Sequence, residues 1–172
     1  GQGDISLVGK QLLLVAPIEA VRSAVDSELG RRGVRTTPVS DWNQAREFAA
    51  ERDFDGLVVV SKKATSSEIA ARDLEGAFET VRLIATRRGG SMEGACLLLA
   101  APSNGVFGAL ATGRDGELAA GYSGIAKSLA KEWPEARLLA VDIDDRKAEH
   151  LAKDLLDEFE SRCRVHGLPA DI

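Results

Sequence analysis

Five short apolar runs alternate along this chain with stretches whose apolar residues recur at helical spacing, and that alternation admits few folds. A strand followed by a helix cannot turn back as a hairpin. It crosses over and pairs in parallel, so the pattern predicts βαβ units in a sheet covered by helices on both faces. The runs are 10–16, 34–39, 57–60, 96–101 and 138–143, with 163–166 offering a short sixth strand. Between them Val21, Val25 and Leu29 define one helix face, Trp42, Ala45, Phe48 and Ala49 a second, and Ile69, Leu74, Ala77, Val81 and Ile84 a third. Ser40 or Asp41, and Thr65 or Ser66, are the expected N-caps, while Gly33 and Gly89-Gly90 close the helices before them. A fourth helix spans Gly121 to Trp133 and stops at Pro134. Trp133 is expected to pack against Leu138 and Leu139.

The 172 residues fit one domain, expected over 10–172 with residues 1–9 as a tail. A formal charge of −5 argues against nucleic acid as a partner and against an anionic membrane surface, since both need a concentrated basic face. The basic pairs Arg31-Arg32 and Arg87-Arg88 fall where helices end and suit the dipole there. No run reaches the roughly 20 apolar residues of a membrane span. Two cysteines, one inside an apolar strand, make no disulfide framework, and a reduced cytoplasm is the expected setting. The absence of an initiator Met leads us to expect a segment of a longer protein.

The stretch Gly121 to Asp144, GYSGIAKSLAKEWPEARLLAVDID, resembles a recurring segment of polyketide-synthase ketoreductases that reads roughly GLxGLAKTLAxEWPEVxxxAVDLD. The likeness covers 24 residues. In that family the segment belongs to the N-terminal structural half, a truncated Rossmann fold that braces the catalytic half and holds no cofactor. The resemblance therefore implies an α/β fold with a truncated Rossmann-like parallel sheet of five to six strands flanked by helices. It also implies a catalytically silent subdomain whose partner is the catalytic ketoreductase half or a neighbouring domain of a polyketide or fatty-acid synthase.

The residues themselves point the same way. A dinucleotide site needs glycines after the first strand, because only a bare backbone can wrap a pyrophosphate at a helix N-terminus. Here that turn is Ala16-Pro17-Ile18-Glu19-Ala20, with no glycine, one missing N–H and a carboxylate, so no cofactor is expected. Short-chain dehydrogenases use a Ser, a Tyr and a Lys four residues after the Tyr. The candidates are Ser103, Tyr122 and Lys127, but a five-residue spacing rotates Lys127 roughly 140° away from Tyr122 on a regular helix. The leading expectation is thus no catalytic residue.

Asp142, Asp144 and Asp145 cluster where a strand ends. They suit either a cation or, more simply, the N-cap of the last helix. His150 and His166 lack spaced partners, and no metal is expected. Leu151, Leu155, Leu156 and Phe159 form a row on the last helix that looks broader than one sheet face needs, and they are the candidate interface. Two alternatives stay open: a divergent short-chain dehydrogenase reducing a ketone with NADPH, and a free-standing interaction module that forms a homodimer.

Overall fold

Burial along the strands is two-sided, and this decides the architecture. In the computed structural model, which describes residues 6–102, 117–144, 146–162 and 164–165, the first strand β1 (Gln11–Val15) buries four of its five residues. The third, β3 (Gly56–Val60), buries all five, and β4 (Cys96–Pro102) all but its last. Such runs can only sit at the centre of a sheet covered on both faces. Leu13, Val15, Leu57, Val59, Leu97 and Leu99 turn to one face. The alternate residues Leu12, Leu14, Val58, Val60, Leu98 and Ala100 turn to the other.

The sheet has the order β2-β1-β3-β4-β5-β6, where β2 is Arg35–Val39, β5 is Arg137–Ile143 and β6 is Arg164–Val165. The first five strands are parallel, and β6 pairs antiparallel with the start of β5. Helix α1 (Glu19–Arg31) and helix α5 (Ala148–Arg162) cover one face. On the other lie α2 (Trp42–Glu51), α3 (Ser67–Arg87) and α4 (Glu117–Glu132). This is a doubly wound α/β fold, Rossmann-like in construction, whose strand order reverses at β1. Pro38 stands on β2, an edge strand, where a missing N–H leaves no ladder bond unmade toward solvent.

Capping follows the residues foreseen, since the Asp41 carboxylate accepts from Gln44 N–H at 2.8 Å and Ser66 Oγ from Ile69 N–H at 3.1 Å. Several expectations need correction. Residues 6–9 are no tail, because Leu7 is fully buried and Gly9 N–H donates to the Gly33 carbonyl. The fourth helix begins at Glu117 rather than Gly121. Trp133 is buried beside Leu138 as expected, but Leu139, the next residue on β5, faces the opposite layer. Asp144 does not cap α5. Its carboxylate accepts from Arg146 Nε, and the first bond of the helix runs from Leu151 N–H to the Lys147 carbonyl.

The basic pairs do more than suit helix dipoles. Arg32 ties α1 to α5, pairing with Glu28, Asp157 and Glu160. Arg88 reaches the Phe54 and Glu93 carbonyls and the Asp55 carboxylate, joining the end of α3 to the loops that enter β3 and β4.

Two glycines are steric requirements. A Cβ on Gly56 would stand 1.8 Å from the Cys96 carbonyl oxygen, and one on Gly76 2.4 Å from the Trp42 ring, where α3 crosses α2. Gly30, on α1, faces open space. Gly56→Ala is therefore expected to cost about 3 kcal/mol, since backbone cannot move aside. Gly30→Ala is expected to gain about 0.5–1 kcal/mol by removing a flexible residue from a helix. Denaturant midpoints of the two variants check both signs, and equal midpoints would refute the steric account.

Candidate functional site

Ligands of open α/β sheets sit outside the carboxyl ends of the strands, where the order reverses, and here that edge joins the ends of β1 and β3. The β1–α1 turn is built from Ala16, Pro17 and Ile18. Ile18 offers no side-chain cap, Glu19 puts a carboxylate in the first turn of α1, and Arg22 folds back to donate to the Ala16 carbonyl at 2.9 Å. Each of these opposes a bound pyrophosphate: the turn has side chains where a phosphate needs bare backbone, and an acid where it needs positive charge.

At the end of β3, Ser61 is buried and its Oγ lies 2.7 Å from the Tyr122 hydroxyl of α4. Burial pushes the ionisation of this phenol well above its ordinary value of 10.0, a shift that the Ser61 bond moderates. Lys127 is exposed on the same helix, so it does not serve as the cation that would activate the phenol. Ser103 falls outside the described residues. The three candidates are thus not assembled as a catalytic set among the described residues, and Ser61, which spacing did not single out, is the partner of Tyr122. Only the apolar run ending at Val60 signals that the next side chain emerges at the ligand edge.

Two clefts flank the end of β3. The larger, about 460 Å³, opens between the starts of α1 and α5. Ile18, Val21, Val60, Ile143 and Leu151 form its apolar wall, and Lys62, Lys63 and Arg146 supply cations. Arg146 is clamped between Asp144 and Asp154, each at 2.6 Å. The smaller cleft, about 150 Å³, lies between α2 and α3. There Asp73 accepts from Trp42 Nε1 at 3.0 Å, and burial raises its carboxyl above the usual range against the pull of that bond and of Lys62.

Asp145, Cys163 and His166 fall outside the described residues, and His150 is exposed. Among the described residues no group of three His, Cys, Asp or Glu is arranged to hold an ion. No helix among them is long and apolar enough to cross a membrane. Cys96 is buried in β4, and its thiol is pushed up to about 12 by desolvation. The candidate interface row does not form an open face. Leu151, Leu155, Leu156 and Phe159 are 7%, 2%, 0% and 0% exposed, packed in the core that α5 shares with α1 and the sheet.

No family model matches the chain, and no curated protein matches it. Solved structures do. BdcA (YjgI) from E. coli superposes with a TM-score of 0.58 at 14% identity, over 91% of this chain and 93% of that one. A short-chain dehydrogenase/reductase variant of Serratia marcescens gives 0.56 at 15% identity, over 91% of both chains. A second variant of that enzyme gives 0.51 at 12%, over 91% of this chain and 92% of the other. At these identities the likeness is one of fold alone, a Rossmann-like parallel sheet flanked by helices.

Tyr122 is the only tyrosine in the chain, so its absorbance near 295 nm reads one phenol. The folded form holds its proton more tightly than the unfolded form. This contribution to stability is therefore full below pH 10 and is lost as pH rises beyond it. No tyrosinate signal is expected until the chain unfolds in alkali, and a titration near pH 10 in the folded chain would refute the burial. Tyr122→Phe should cost about 1 kcal/mol through the orphaned Ser61 hydroxyl.

Proposed function

We propose that the chain is a catalytically silent structural subdomain of the ketoreductase region of a polyketide or fatty-acid synthase, bracing a catalytic domain and holding no cofactor of its own. The observation that carries this reading is the fate of Tyr122, whose phenol is buried on Ser61 while Lys127 stands in solvent. A proton donor needs an acidity matched to its task, and this phenol is shifted away from it. The glycine-free turn closed by Arg22 supports the absence of a dinucleotide.

The strand order is compatible with this reading without singling it out, since the parallel part, 2-1-3-4-5, is also the flavodoxin-like order. Removing the third strand from the order 3-2-1-4-5-6 of dinucleotide-binding sheets leaves 2-1-4-5-6, which renumbers to the 2-1-3-4-5 found here. The proposed partner is the catalytic ketoreductase half or another synthase domain, with a second copy of the chain as the competing one. Because the α5 row is spent inside the core, the partner must meet other surfaces.

The likeness to short-chain dehydrogenase/reductases favours one other reading, a divergent enzyme that reduces a ketone with NADPH. A fluorescence titration with NADPH separates the two. No saturable change is expected up to about 1 mM, and no turnover of a decalone. A dissociation constant below about 100 μM, near −5.5 kcal/mol, would overturn the silent reading.

A further inference from the structure

The smaller cleft, between α2 and α3 at the end of β3, brings one donor and one acceptor to a small apolar space. Val15, Pro17, Val59 and Ile69 wall it, and its volume of about 150 Å³ is enough for a molecule the size of benzene. Ser61 supplies the donor. It is 7% exposed, and its side chain turns to the layer of α2, α3 and α4, where Oγ lies 2.7 Å from the Tyr122 hydroxyl. Two hydroxyls carry two protons, and the bond between them uses one. The phenol is the more acidic and gives its proton to Ser61 Oγ, which leaves the Ser61 O–H to be spent on the cleft that this residue lines. Asp73 supplies the acceptor. Its Oδ1 takes the Trp42 Nε1–H at 3.0 Å, and no other hydrogen bond reaches this carboxylate among the described residues. Trp42 cannot swing toward α3, because a Cβ on Gly76 would already stand 2.4 Å from its ring. The charges of the cleft are matched within the protein: Lys62 acts on the Asp73 carboxyl, and Asp41 spends its carboxylate on the Gln44 N–H.

We propose that this cleft binds a small neutral primary carboxamide with an aliphatic body, its oxygen accepting from Ser61 Oγ–H, its N–H donating to Asp73 and its body against Val15, Val59 and Ile69. An ester or a ketone would answer Ser61 and leave the carboxylate unmet. An ammonium would answer Asp73, where Lys62 already acts, and leave the serine unmet. Only a ligand with both functions satisfies both groups while its hydrocarbon part covers the apolar wall. The space is too small for a nucleotide, so the inference does not depend on the silent-subdomain reading.

The test is a chemical-shift titration of the whole chain with isobutyramide, methyl isobutyrate and isobutylammonium chloride. Isobutyramide is expected to saturate with a dissociation constant of about 1–10 mM, as suits a ligand of about six heavy atoms, and to move the Trp42 Nε1–H signal and the backbone of 59–62 and 69–73. The ester and the ammonium should each bind at least fivefold more weakly. Asp73→Asn keeps the Trp42 bond on its amide oxygen and turns the second position from acceptor to donor. It should weaken isobutyramide fivefold or more and leave the ester unchanged. Ile69→Phe, at a partly exposed position near the start of α3, narrows the cleft and should abolish both. Lys62→Gln should leave isobutyramide within about twofold, because the ligand is neutral. Absence of saturation by about 100 mM, shifts centred elsewhere, or ester or ammonium binding as tightly as the amide would each overturn the proposal. So would unaltered binding in Asp73→Asn or in Ile69→Phe, or a fivefold loss in Lys62→Gln, which would mark the lysine as the anchor.

Discussion

Everything in this molecule depends on three adjacent strands, β1, β3 and β4, being closed to water on both faces. Each aliphatic side chain buried there is worth roughly 1.5–3 kcal/mol, and neither helical layer alone could shelter them. The central pair comes so close that Gly56 must lack a side chain opposite the Cys96 carbonyl. From that contact outward the rest follows: α2, α3 and α4 seal one face, and α1 and α5 the other.

The helices are then tied to each other by charge at their ends. Arg32 at the end of α1 draws in two carboxylates from α5, while Arg82 pairs with Glu132 of α4 and stacks on Phe78 and near Trp133. Such pairs are individually weak when exposed, but Arg32 is mostly covered and gathers three acids, so it orients α5 against α1. This arrangement places the start of α5 beside the end of β3 and creates the larger cleft. Packing far from the edge therefore shapes the site at the edge.

The carboxyl edge of the sheet is held by structural contacts. The β1–α1 turn holds Pro17 and Ile18, and the Tyr122 hydroxyl meets Ser61. The Ser61–Tyr122 bond joins α4 to β3, and the Arg22 bond closes the β1–α1 turn. The same edge carries an aliphatic cleft with lysines in its lining.

The order of elements, their two-sided burial and the caps at Asp41 and Ser66 were legible in the sequence, because each rests on periodicity or on the chemistry of adjacent residues. The mismatch of Tyr122 and Lys127 was legible too, as helix geometry is local. What tertiary structure alone decided is which distant groups meet. Nothing near Tyr122 in the chain names Ser61 as its partner, 61 residues away, or shows that Gly76 exists to admit Trp42. The row from Leu151 to Phe159 reads the same whether it faces a partner or its own core. Only the seating of α5 on α1 and the sheet settled that it is core, because an apolar stripe records that a face must be buried and not what buries it.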